Sequence, residues 1–349
     1  MPTLFDPIRI GDLDLPNRIF MAPLTRLRGT VDNIPQPPME EYYRQRAGAG
    51  LIITEGTPVD PMGVGYAQVP GIWSDAQVEA WKPITEAVHQ AGGHIFMQIW
   101  HVGRISHSMF LNGRQPVAPS AVRPAGHVSH VRPITEFETP RALETAEVEQ
   151  VIEQFGRGAA NAKRAGFDGV ELHGANGYLL DQFLQTKTNH RTDQYGGIVE
   201  NRARLMLACA DAAIEVFGAN RVGMHLAPRS DSHDIGDANP AETFGYVARE
   251  LGKRKIAFIM AREAVGPDSL GPSLKQAFGG SYVANERLTY EQAESLVEKD
   301  DADAVAFGRL FIANPDLPER LRKRAPLNEP RPEHFYTHGA EGYIDYPTL

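Results

Sequence analysis

The sequence predicts an α/β fold, a closed TIM-type (β/α)8 barrel, and three observations carry that prediction. Eight short apolar runs recur along the chain, and each is followed by a segment with helical periodicity. Apolar strands that alternate with helices indicate a parallel sheet covered by helices. Eight such units in 349 residues suit one barrel, a fold that reaches this size as a single domain. The first strand also lacks the Gly-x-Gly-x-x-Gly turn that an open, doubly wound sheet would place before its first helix. A single domain over residues 1–349 is therefore expected.

The elements follow in order. Ile8–Ile10 and Leu13–Leu15 flank Gly11–Asp12 and read as a small hairpin ahead of the barrel. Asn17–Thr25 reads as the first barrel strand, ending near Pro23 because proline cannot donate to a ladder. Pro38–Ala49 is the first helix and Gly50–Gly56 the second strand. Asp75–Ala91 is an amphipathic helix stopped by Gly92–Gly93, and His94–Trp100 is the third strand. Residues 101–143 break the rhythm, being rich in Pro, His, Arg and Ser. A connection of that length is expected to run over the active face. Glu144–Ala165 is a helix, residues 169–173 the fourth strand, Glu200–Phe217 a helix and Arg221–Ala227 the fifth strand. Pro240–Leu251 is helical and Ile256–Met260 is the sixth strand. Ser269–Phe278 is a short helix and Ser281–Ala284 the seventh strand. Thr289 caps a helix to Glu298, Ala304–Phe307 is the eighth strand, and a helix over Pro315–Lys323 closes the set.

Composition narrows the function classes. The net charge is −9 with no basic block, which argues against nucleic acid as a partner. The one cysteine, Cys209, sits in an apolar helical pattern and excludes an internal disulfide framework. No stretch approaches the roughly 18 apolar residues of a membrane span. The N-terminal residues lack a basic segment followed by an apolar run, so a cytoplasmic protein is expected. His89, His94, His101, His107 and His173 form no His-Glu-x-x-His pair, so no metal site is expected.

In a barrel, chemistry gathers where the strands end. The fourth strand ends in His173-Gly174-Ala175-Asn176-Gly177-Tyr178. His173 and Asn176 can converge as hydrogen-bond donors on one oxygen, and the Tyr178 phenol can supply a proton. That set suits chemistry at a carbonyl or nitro group. A plain strand-to-helix turn with solvent-facing polar residues is the other reading of the isolated stretch. The seventh and eighth strand ends, with Asn285 and Gly308–Arg309, suit a phosphate. A turn glycine and a surface arginine are the alternative there. The ring of strand ends lacks the carboxylate pair of a glycosidase.

Several stretches together resemble the Old Yellow Enzyme family of FMN-dependent ene-reductases. They include Asn17–Arg26, Met97–Arg104, His173–Leu184, Asn189–Gly197, Phe307–Leu317 and Gly342–Pro347. The match spans nearly the whole chain and looks most similar to bacterial xenobiotic, nitroester or N-ethylmaleimide reductases. It implies FMN across the barrel mouth, with Pro23, Leu24, Thr25, Gly56 and Gln98 around the isoalloxazine. It also implies Arg221 as the positive charge near flavin N1 and O2. Ala284, Asn285, Gly308 and Arg309 would hold the phosphate. His173 and Asn176 would bind the substrate oxygen while Tyr178 protonates the carbon. Tyr66, Trp100 and Tyr336 would shape the pocket, each of which could equally be core packing. NADPH would reduce the flavin first, at the same site. The resemblance further implies a monomer acting on electrophilic alkenes or nitro compounds. Two departures stand out. Met224–Ala227 replaces the family's usual Arg and Ser near the end of the fifth strand, and Asn285-Glu286-Arg287 lacks the common Gly-Gly.

Overall fold

The computed structural model describes residues 1–230 and 232–349. Its centre is a ring of eight parallel strands: β1 Ile19–Met21, β2 Ile52–Ile53, β3 Ile95–Trp100, β4 Gly169–Gly174, β5 Val222–Leu226, β6 Phe258–Arg262, β7 Ser281–Asn285 and β8 Ala304–Phe307. Each strand pairs with the next, and β8 returns to β1 through Val305–Ile19, Ala306–Phe20 and Phe307–Met21. The barrel is therefore closed, as the eight-unit pattern predicts.

Two cores follow from the period-2 alternation of the strands. Inward residues such as Phe20, Ile53, Phe96, Phe258, Met260 and Val283 fill the lower interior. Ile10, Leu13 and Leu15 of the antiparallel N-terminal hairpin join that core and plug the amino end of the barrel. At the hairpin turn, Gly11 has φ +59°, and a Cβ there would lie 1.9 Å from the Asn220 carbonyl, so glycine alone fits the plug against the barrel. Outward residues such as Met21, Ile99, Val170, Leu172, Leu226 and Ile259 pack against the helices. The helices are α1 Pro38–Arg44, α2 Asp75–Gln90, α3 Thr145–Arg164, α4 Leu179–Leu184, α5 Val199–Arg202, α6 Arg204–Phe217, α7 Pro240–Arg254, α8 Gly271–Phe278, α9 Tyr290–Glu298, α10 Arg309–Ala313 and α11 Leu317–Lys323. Among the described residues, no helix is long and apolar enough to cross a membrane.

Four local expectations need correction. The sixth strand lies two residues later than Ile256–Met260, which brings Arg262 into the sheet beside Asn285. The expected helix over Pro315–Lys323 begins at Leu317 and is preceded by α10, with Asn314, Pro315 and Asp316 between them. α4 had no counterpart in the sequence reading, because six residues are too few to display a helical period. α1 stops at Arg44 instead of Ala49, since the chain must turn by Gly48, whose carbonyl accepts from Asn17 Nδ2 at 3.0 Å.

The 101–143 segment carries a short parallel pair, Val117–Ala118 with Arg141–Ala142. Its Val128 and Phe137 join Tyr66, Trp100 and Tyr178 in one apolar cluster above the barrel. Arg104 Nη2 donates to the His233 and Asp234 carbonyls, each at 3.0 Å, and ties this segment to the loop after β5.

Candidate active site

The site starts where β4 ends. Gly174 leads into Asn176, at φ +59°, and Gly177, at φ +77°. A Cβ at Gly177 would meet the Ser232 carbonyl at 2.8 Å, so this turn requires glycine. Side chains of α4 hold the turn from beneath. Asp181 Oδ2 accepts from Gly177 N at 2.9 Å, and Gln182 Nε2 donates to the Gly177 carbonyl at 2.7 Å. The unforeseen short helix is thus what fixes His173, Asn176 and Tyr178 relative to one another.

Four rings lie nearly parallel across the mouth. Tyr66 stacks on Trp100 (5.8 Å between centroids, 11°), Trp100 on His173 (5.6 Å, 10°) and His173 on His225 (5.4 Å, 16°). Strand register produces the last contact, since His225 of β5 sits directly beside His173 of β4. Tyr178 meets Trp100 and His173 edge-on, at 4.8 Å and 4.9 Å. Its hydroxyl lies 2.7 Å from the Tyr66 hydroxyl. Burial, then the neighbouring Tyr66, pushes the Tyr178 phenol well above its ordinary range, so it carries its proton at neutral pH. Burial holds the His173 imidazole neutral, aided by His225 and the positive charge of Arg262.

One layer down, Gln98 Nε2 donates to Glu171 Oε2 at 2.8 Å and approaches His225 Nδ1 at 3.2 Å. Nδ1 therefore accepts, and the proton of His225 sits on Nε2. His225 Nδ1 and a Glu171 oxygen come within 3.9 Å, yet this is no ion pair. Burial drops His225 to about 3 and raises Glu171 to about 8, so both are neutral.

At the end of β6, Arg262 Nη1 donates to Asn176 Oδ1 at 2.8 Å and to Ser232 Oγ at 3.2 Å. Its Nε pairs with the Glu286 carboxylate. The Asn176 carbonyl accepts from His233 Nδ1 at 2.7 Å.

The other expected residues distribute as follows. Pro23, Leu24 and Thr25 follow β1 and are half-buried. Gly56 lies under Trp100, where a Cβ would fall 2.7 Å from the indole. Ala284 and Asn285 end β7, and Asn285 Nδ2 donates to the Ala306 carbonyl at 2.8 Å, stapling β7 to β8. Gly308 abuts Leu24 and opens α10, and Arg309 is exposed beside it. Tyr336 is half exposed and packs on His130 of the 101–143 segment at 4.0 Å. Glu263, directly after β6, accepts from Arg229, Ser269 and Leu270.

Arg221 is not brought to the mouth. It precedes β5 at the plugged end, bonded to Asp12 of the hairpin turn and donating to the Asp168 carbonyl at 3.0 Å. Four residue steps along the strand separate it from His225, about 13 Å at the usual rise. All strands of a parallel barrel point one way, so a residue that opens a strand lies at the end opposite the chemistry. His225 is the β5 side chain at the mouth. Period-2 counting along β5 in register with His173 finds it. Arg262 was hidden by the misplaced sixth strand, and Glu171, in the middle of β4, carries no strand-end signal.

Trp100 Nε1, Glu171 Oε1, His173 Nδ1 and His225 Nε2 are buried at this mouth with no partner among the described residues. Leaving such an atom unmatched costs about 1–3 kcal/mol, so a cluster of them marks a place for a polar ligand. Unpartnered donors and acceptors gathered on a stack of rings fit the polar edge of an isoalloxazine, and this end of the site is suited to FMN.

Comparisons with known proteins agree. A family model described as NADH:flavin oxidoreductase / NADH oxidase matches residues 3–328. The chain is 42% identical over 360 aligned residues to 12-oxophytodienoate reductase 1 of Oryza sativa subsp. japonica, covering 99% of this chain and 93% of that one. It superposes on an old yellow enzyme homologue from Zymomonas mobilis with a TM-score of 0.97 at 45% identity, over 100% of both chains. Morphinone reductase, solved in complex with tetrahydroNAD, matches with a TM-score of 0.96 at 48% identity, over 100% of this chain and 98% of that one.

Proposed function

The chain belongs to the NADH:flavin oxidoreductase / NADH oxidase family, the Old Yellow Enzymes, and is an FMN-dependent oxidoreductase; from that premise we propose that it reduces the C=C bond of enones, enals, maleimides or nitroalkenes at the expense of a reduced nicotinamide. The single observation that carries this reading is the protonated Tyr178 phenol set edge-on against His173, with Asn176 on the same turn.

When bound, FMN supplies the hydride that reaches the substrate's β-carbon. The work of the chain is to hold that cofactor, clamp the substrate and deliver a proton. Pro23, Leu24, Thr25, Gly56 and Gln98 would surround the ring system, with His225 Nε2–H in the place expected of Arg221. Ala284, Asn285, Gly308 and Arg309 would face the phosphate. His173 and the Asn176 amide donate to the oxygen that gains negative charge, an interaction stronger at the transition state than in the ground state. Tyr178 then protonates the α-carbon, and its hydrogen bond to Tyr66 leaves a neighbouring hydroxyl from which the proton can be replaced. Trp100, Tyr66 and Tyr336 would shape the space above.

NADPH is the proposed reductant, with NADH tested beside it, and the similarity to morphinone reductase, solved in complex with tetrahydroNAD, supports a nicotinamide reductant. The same two donors suit a nitro oxygen, so nitroesters and nitroaromatics form the second substrate class, for which Tyr178 is dispensable.

Anaerobic stopped-flow tests the proposal. The flavin is reduced by each nucleotide in turn, then mixed with cyclohexenone or a nitroester. Rapid reoxidation by the enone is expected. Reoxidation by the nitroester alone would favour the second class, and a protein that takes up no FMN would overturn both.

A further inference from the structure

We propose that Arg262 is a positioning residue that fixes the amide of Asn176 with its N–H groups turned toward the substrate oxygen. The proposal rests on the reading of His173 and Asn176 as an anion clamp. An asparagine amide is nearly symmetric in shape, and rotation by 180° exchanges its acceptor for its donors. Only one of the two orientations can stabilise a developing oxyanion. A guanidinium has donors and no acceptor. With Arg262 Nη1 at 2.8 Å, the Asn176 oxygen must face the arginine, which leaves Nδ2 on the far side.

Arg262 is itself held. Glu286 binds its Nε, Ser232 Oγ accepts from Nη1 at 3.2 Å, and the arginine side chain is only 33% exposed. Glu286 has φ +113°, a conformation that residues with side chains seldom adopt, and a second arginine, Arg287, pairs with its other oxygen at 3.0 Å. A strained backbone held by a network beside a site is the pattern expected where strain serves the arrangement of that site. His233 anchors the other end of the same residue through the Asn176 carbonyl at 2.7 Å. Asn176 is thereby gripped from two sides, and one grip, Arg262, comes from a strand whose end the sequence misplaces.

The test uses FMN-loaded protein and a para-substituted phenol, 4-chlorophenol, as the anion-forming probe. Its affinity is measured by calorimetry, with flavin stoichiometry checked by visible absorbance. Asn176→Ala should weaken binding about tenfold, the loss of one hydrogen bond to a charged group. Arg262→Met should do nearly as much, and the Arg262→Met/Asn176→Ala pair should be no weaker than Asn176→Ala by more than about twofold, because neighbours that act through one another are not additive. Arg262→Lys, which keeps a donor and the charge, should recover most of the loss. Glu286→Gln, whose amide oxygen can still accept from Nε, should weaken binding by no more than Arg262→Met does.

Native affinity in Arg262→Met, or fully additive losses in the double variant, would overturn the proposal. So would a Glu286→Gln loss larger than that of Arg262→Met, which would place the effect in Glu286 itself and not in the arginine it holds. Should Arg262→Met fail to fold or to load flavin, Arg262→Gln, which stays polar but lacks the charge and the donor-only fork, carries the same decision, and native affinity there overturns the proposal. If Asn176→Ala and His173→Ala both bind the phenol normally, the clamp reading itself fails and takes the proposal with it; a failure confined to the arginine variants leaves the clamp standing.

Discussion

Glu171 enters the folded state as a neutral acid, and that has a consequence for stability. Its acidity is weakened from the ordinary 4.5 to about 8 by burial, and the Gln98 hydrogen bond offsets only part of the effect. Between those values the folded chain holds one proton more than the unfolded chain. Stability must therefore fall as pH rises from about 4.5 to about 8, with the full penalty present above that range. His225 works in the opposite sense: buried neutral down to about 3, it makes the folded state lose stability as pH drops from about 6.5 toward 3. Glu171→Gln removes the first dependence. Thermal unfolding at about pH 6 and about pH 9 should show a fall for the native protein and a smaller fall for the variant. Equal losses in the two would place the titration elsewhere. At this scale the sequence made His173, Asn176 and Tyr178 visible because they lie within six positions of one another on a glycine-marked turn. It could not show Arg262 meeting Asn176, a contact across 86 positions that exists only once β6 is placed.

At the scale of elements, a single buried carboxylate joins the carboxyl side of α4 to α5 and α7. Asp237 Oδ2 accepts from Arg202 Nη1 at 2.8 Å and from Thr186 N at 3.0 Å, while Oδ1 accepts from Thr243 Oγ1 at 2.9 Å. Arg202 and Asp237 have side chains 8% and 1% exposed, so Asp237→Ala would strand a buried cation. We expect a loss of about 3–5 kcal/mol in urea unfolding, against roughly zero to 1 for breaking an exposed pair such as Arg9–Asp14. A loss below about 1 kcal/mol would mean that water reaches Arg202. Elements with strong local signals were legible. Thr289 and Gln292 form the reciprocal cap that opens α9, and Ser74 with Gln77 does the same for α2. Short elements set by tertiary packing were not, as α4 and the division of α10 from α11 show.

For the molecule as a whole, one-way strands give the barrel a plugged end and a chemical end, which is why eight strand ends could be read as a ring before any coordinates. The same polarity moves Arg221 to the plug. The segment after α11 returns to the mouth because Arg26 and Arg28 donate to its carbonyls, Arg26 Nη2 to Gly342 at 2.8 Å and Arg28 Nη2 to His334 at 3.0 Å. Tyr343, fully buried, stacks on Tyr42 at 4.1 Å and lies under Arg28 at 4.4 Å. Tyr343→Ala should cost about 3–5 kcal/mol by equilibrium unfolding, as truncation of a large buried ring does, and should loosen Tyr336. An unchanged unfolding midpoint would show that this segment does not brace the fold. None of this clamp is visible in the sequence, since its acceptors are backbone carbonyls. The central claim concerns the mouth, where a clamp holds the oxygen and Tyr178 gives the proton. It is tested most directly by single-turnover reoxidation of pre-reduced Tyr178→Phe enzyme with cyclohexenone, alongside its reduction by NADPH. The account predicts a normal reductive half-reaction and an oxidative one slowed by roughly 10²–10⁴; reoxidation at the native rate would contradict it.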